Sequence, residues 1–102
     1  MKFIILFEDA PEADPDIRKS HMVRHLDFLE KNADKIKAAG PLSDTAGLGR
    51  DGLWIVEADA AEDVDRLVQE DPFWPTGLRK SYAIIEWTQV YADGSRLIRS
   101  SV

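Results

Sequence analysis

Residues 17–29 read IRKSHMVRHLDFL, and the apolar positions Met22, Leu26 and Leu29, continued by Ala33 and Ile36, recur at the spacing of one helical stripe. A helix of this kind buries its stripe against a sheet, so the segments on either side decide the fold. Both histidines of the chain, His21 and His25, lie in this stretch. Four residues apart, they line one edge of the stripe, which predicts a place at the helix rim, between the dry centre and the open face. Groups that titrate near neutral pH are thereby brought to a seam where a cleft is built.

Outward from the helix, residues 2–7, KFIILF, are apolar at both parities and predict a strand covered on both faces. The acidic loop EDAPEADPD (8–16) ends in Asp14-Pro15, an N-cap followed by proline at the first helical position. The helix is expected from about Pro15 to Ala39, stopped by Gly40 and Pro41. GPLSDTAGLGRDG (40–52) reads as a turn, a short strand at best and a flexible connection, and its closing Asp51-Gly52 step suggests a hairpin. LWIVEA (53–58) is a second strand with two apolar faces. Asp59 and Glu62 resemble a capping box opening a short helix with Ala61, Val64, Leu67 and Val68 inward. That helix stops before Pro72 and Pro75. A last strand runs from about Arg79 to Trp87, and WTQVYADGSRLI (87–98) allows a terminal hairpin about Asp93-Gly94. The order β-α-β-β-α-β is the ferredoxin-like arrangement of the α+β class, an antiparallel sheet with both helices on one face. Apolar residues on the uncovered face then call for a second copy of the same sheet, in a two-fold homodimer.

The chain has 102 residues, the size of a single domain spanning 1–102. It has no cysteine, and therefore no disulfide, thiolate metal site or thiol nucleophile. Thirteen basic and 19 acidic residues give a formal charge of −6, which repels a phosphate backbone and argues against nucleic acid as partner. The N-terminal apolar run is too short for a signal core or a membrane span, so the expectation is a cytoplasmic protein with no membrane partner. Glycines 40, 47, 49 and 52 lack the strand-then-helix context and the lysine of a phosphate loop.

Residues 1–88 together resemble the YCII-related (YciI-like) proteins. The matching pieces are KFIILF, the helix segment ending in RHLDFL, AAGPL at 38–42, GLWIVEA, and above all DPFWPTGL at 71–78. The resemblance implies a dimeric α+β barrel of ferredoxin-like topology, with residues 88–102 as a C-terminal extension. It also implies a site that pairs the histidine of the helix motif, here His25, with the aspartate of the DPF motif, here Asp71.

An aspartate bonded to one imidazole nitrogen fixes the tautomer and leaves the other nitrogen to move protons near neutral pH. On the residues alone, Asp71 before Pro72 reads first as a turn former and His25 as a half-buried histidine bonded to a carbonyl; the resemblance reverses that order. His21, Phe73, Trp74 and Arg24 are the candidate ligand-binding residues, with core packing or surface charge as the competing role of each. Arg18 is weighed in the same way. His-x-x-x-His can hold a metal, but the intervening Met22, Val23 and Arg24 include no zincin glutamate, and no metal or other cofactor is assigned. The expected function is proton transfer on a small organic molecule without a redox cofactor, and the resemblance implies lyase, dehydrohalogenase-like elimination or isomerase chemistry. The alternatives are a non-catalytic binding or regulatory module and, from another class, a cofactor-free monooxygenase or haem-related relative.

Overall fold

The structure, a computed structural model, describes residues 1–98. Strand β1 (Lys2–Asp9) is followed by α1 (Asp16–Lys31), β2 (Ile36–Pro41), β3 (Gly52–Glu57), α2 (Ala61–Glu70) and β4 (Arg79–Trp87). A small hairpin of β5 (Tyr91–Ala92) and β6 (Ser95–Arg96) comes last. The main sheet is antiparallel in the order β2-β3-β1-β4, the ferredoxin-like order of an α+β fold. Asp93 and Gly94, both at positive φ, make the two-residue turn that an Asp-Gly step favours.

One sheet face carries the core. Phe3, Ile5 and Phe7 alternate inward from β1, and Trp54 and Val56 from β3. They meet Val64, Leu67 and Val68 of α2, the stripe expected for that helix, with Phe28 and Leu29 of α1 packed alongside. The opposite face is also apolar. The register aligns Ile4 with Ile55 and Ile85, Leu6 with Leu53 and Ala83, and Lys2 with Trp87, so an apolar patch runs across three strands on the side away from the helices.

Four local expectations are corrected. Helix α1 ends at Lys31, not Ala39, because the Asn32 side chain donates to the Phe28 carbonyl (2.9 Å) and its own N–H is satisfied by the same turn. The chain then reverses, and residues 36–41 form the edge strand β2, with Gly40 in the strand instead of capping the helix. Within α1 the buried side chain is His25, whereas Leu26 is 48% exposed; the helix is rotated so that an imidazole occupies the inward position predicted for a leucine. That is tolerable only because the ring is hydrogen-bonded there. Helix α2 begins at Ala61 without a side-chain cap, so Asp59 and Glu62 form no capping box. Finally, the 42–51 connection is organised by the Asp44 carboxylate, which accepts from the N–H groups of Leu48, Gly49 and Arg50.

Candidate active site

Proline 72 sets the geometry at the end of α2. A residue before proline is pushed out of the helical region, and Asp71 accordingly takes an extended backbone (φ −63°, ψ 132°) as the helix C-cap. This turns its side chain under the sheet end instead of along the helix. One carboxylate oxygen, Oδ1, accepts from the Phe73 N–H at 3.1 Å and lies 2.9 Å from His25 Nδ1. The other, Oδ2, accepts from Arg79 Nη1 at 2.8 Å. The Asp71 side chain is completely buried, and no solvent reaches the charge.

Gly77, in the left-handed region at φ 77°, ends the short Trp74–Thr76 turn and delivers Arg79 to the first position of β4. There the guanidinium lies 4.1 Å from the Phe7 ring centre and 5.3 and 5.5 Å from those of Trp54 and Phe73. The His25 ring sits between two of the same aromatics, 4.5 Å from Phe73 and 6.5 Å from Trp54, centre to centre. Imidazole and guanidinium thus flank one carboxylate inside a shared aromatic frame. Burial alone would raise the Asp71 carboxyl, but the His25 hydrogen bond, the Arg79 charge and the Phe73 N–H outweigh it and hold the group below the usual carboxylate range. Burial pulls Arg79 down from its ordinary value, against the opposing attraction of Asp71.

Beside this triad lies an open-mouthed cavity of about 130 Å³. His25, Arg79, Phe73, Trp54 and Phe7 form its inner wall, Met22, Leu26 and Leu29 its helical wall, and Gly40, Pro41 and Gly52 the side toward β2 and β3. Asp71 stands behind the wall. Arg18 and Asp9 also line the cavity and pair at 3.1 Å. Burial raises the Asp9 carboxyl, Asp51 adds to this, and Arg18 and Arg79 oppose it.

Of the residues singled out from sequence, His25, Asp71 and Phe73 come together here. His21 does not line the cavity; its Nδ1 lies 3.1 Å from the Ile17 carbonyl of its own helix. Arg24 is exposed on the outer side of α1, and Trp74 packs edge-on against Tyr82 on the core side, so neither reaches the cavity wall. Among the described residues no three histidine or carboxylate side chains are grouped to hold a metal ion. Arg79 and Trp54 were not foreseen. The signal for Arg79 was an arginine opening a strand two residues after a conformationally special glycine, which is weak without the partner aspartate in view.

The linkage has a definite sign. Asp71 titrates lower in the folded chain than its usual 3.8, so its interactions contribute stability above about that pH, and the contribution is lost as pH falls through the depressed folded value. Asp71→Asn is expected to cost about 3–5 kcal/mol at neutral pH, the usual penalty for removing one partner of a buried ion pair. The gap from wild type should narrow below the usual carboxylate pKa, as read from urea midpoints between neutral pH and pH ~3.

No curated protein matches the chain significantly by sequence. Among solved structures, 5-chloro-2-hydroxyhydroquinone dehydrochlorinase (TftG) from Burkholderia phenoliruptrix AC1100, in complex with 2,5-dihydroxybenzoquinone, is 28% identical. The alignment covers 86% of this chain and 94% of that one, with a TM-score of 0.69. A protein from Arabidopsis thaliana is 14% identical over 90% of this chain and 97% of its own, with a TM-score of 0.51, a likeness of fold. The model of the YCII-related domain matches residues 1–88, the span that holds the whole sheet, both helices and the buried His25–Asp71–Arg79 triad, and the chain belongs to the YCII-related family.

Proposed function

We propose that the chain is an acid–base enzyme acting on a single-ring hydroxylated molecule, with His25 as the group that moves the proton and Asp71 as the group that orients it. The carrying observation is the 2.9 Å approach of His25 Nδ1 to a fully buried Asp71, with the imidazole on the wall of a cavity. The carboxylate accepts the hydrogen bond of Nδ1–H, which leaves Nε2 as the basic nitrogen. The cavity's size supports a small ring, since an engineered apolar cavity of ~150 Å³ holds benzene. Aromatic walls and two polar heads suit a ring that carries oxygens.

The similar dehydrochlorinase points to one reaction of this kind. In a halogenated trihydroxybenzene, a ring hydroxyl gives up its proton to His25, and the halogen-bearing carbon takes a proton back. A second hydroxyl proton then leaves while the carbon–halogen bond breaks with its electron pair going to halide. The ring ends at the quinone level with net loss of one proton and one halide, and no outside oxidant is consumed. General acid–base catalysis of this sort is worth ~10²–10⁴ in rate. His25→Gln is expected to lower halide release from a panel of halogenated hydroxyhydroquinones by about that factor, while 2,5-dihydroxybenzoquinone still binds. If no panel member is turned over by wild type, and binding is unchanged in His25→Gln, the cavity is a binding module.

The homodimer belongs to the same proposal. The apolar patch of Ile4, Leu6, Leu53, Ile55 and Ile85, with Ile85 47% exposed, is of a kind that a second sheet covers, face to face about a two-fold axis. Sedimentation at micromolar concentration should give the mass of two chains, and the double variant Ile4→Lys, Ile85→Lys the mass of one; a wild-type mass of one chain contradicts the pairing.

A further inference from the structure

The cavity holds more positive charge than proton transfer by His25 needs. Arg79 has a side chain only 7% exposed and a guanidinium with five N–H donors. Its hydrogen bonding to the described residues is a single bond, Nη1 to Asp71 Oδ2. The rest of the fork belongs to a side chain on the cavity wall, held over the Phe7 ring at 4.1 Å by an attraction between cation and aromatic face. A buried guanidinium with spare donors beside an empty volume is a site for an oxyanion.

We infer that Arg79 is the oxyanion-binding residue of this cavity, so that the ligand is held as its phenolate or enolate, one oxygen on the Arg79 fork and the departed proton on His25. The inference rests on the acid–base reading above and names the ligand class that goes with it. Asp71 couples the two ends. With His25 neutral, the single Asp71 charge balances Arg79. When His25 takes the ligand's proton, the imidazolium claims Asp71 through the 2.9 Å contact, and the Arg79 charge is released to the oxyanion formed by the same step. Charge in the cavity stays balanced before and after the transfer. The other arginine of the cavity is a weaker candidate, because Arg18 is 39% exposed and already paired with Asp9 at 3.1 Å. Water screens Arg18 more than it does Arg79, whose side chain is only 7% exposed.

The test compares two ligands that differ by one ring oxygen. Binding of 4-nitrophenolate and of neutral nitrobenzene is measured by calorimetry, at a pH where the phenol is ionised, on wild type, His25→Gln and Arg79→Lys. Arg79→Lys keeps the charge opposite Asp71 but loses the fork, and circular dichroism verifies its fold; the wild-type comparison needs no variant at all. The expected result is a preference for the phenolate of about tenfold or more in wild type, the scale of one hydrogen bond to a charged group. His25→Gln should retain part of that preference, through the spare donors of Arg79, and Arg79→Lys should lose most of it. Absence of the preference in wild type overturns the assignment. So does a preference that disappears in His25→Gln and survives in Arg79→Lys, since the imidazolium would then hold the anion, an outcome that leaves proton transfer by His25 standing. Conversely, a preference that follows Arg79 in an enzyme whose turnover ignores His25 upholds the oxyanion site and removes the acid–base reading.

Discussion

A carboxylate sealed from solvent is the constraint around which the rest of the molecule is arranged. Asp71 cannot be left alone in the interior, where an isolated charge is costly by many kcal/mol. The chain meets the requirement from three directions: Phe73 N–H in the same turn, His25 from α1 and Arg79 from β4. Each partner ties a different element to the end of α2. The inward rotation of α1, which exposes Leu26 and buries a histidine, follows from that demand.

The same arrangement sets a polar cluster beside a cavity in a small domain. The core proper lies under α2, where Val64, Leu67 and Val68 meet the sheet. Under α1 the apolar supply is thinner, and the space is filled by the imidazole, the guanidinium and the aromatic rings of Phe7, Trp54 and Phe73, with a cavity left between them. Rigid rings and paired charges hold both polar heads in position before any ligand arrives. Preorganisation of this kind is what makes charge stabilisation effective at the moment a proton moves.

Much of this was legible in the sequence, and the failures have physical causes. Strands with a run of branched and aromatic residues, such as KFIILF and LWIVE, declared themselves, as did the Val64–Leu67–Val68 stripe and the Asp-Gly hairpin at 93–94. The length of α1 did not. Its end depends on the Asn32 side chain reaching back to Phe28, and Ala38 and Ala39 suit a helix as readily as an edge strand whose partner is distant in sequence. The buried position of His25 was likewise hidden, because a period of 3.6 ranks residues by hydrophobicity and cannot see that an aspartate 46 positions away makes an imidazole cheaper to bury than a leucine. Family resemblance supplied the His25–Asp71 pair, but Arg79 emerged only when β4 was placed beside β1. Arg24, adjacent to His25 in sequence, is turned out to solvent for the simplest helical reason: successive residues are about 100° apart.

Nitrogen-15 NMR of the two histidine rings in wild type and Asp71→Asn, with the rings assigned through a His21 variant, reads the buried His25–Asp71 bond itself. Neutral His25 is expected to carry its proton on Nδ1, bonded to Asp71, with Nε2 bare and basic, and this tautomer preference to be lost or reversed when the carboxylate becomes an amide. A His25 ring protonated on Nε2 in wild type, or one indifferent to Asp71→Asn, would contradict that pairing.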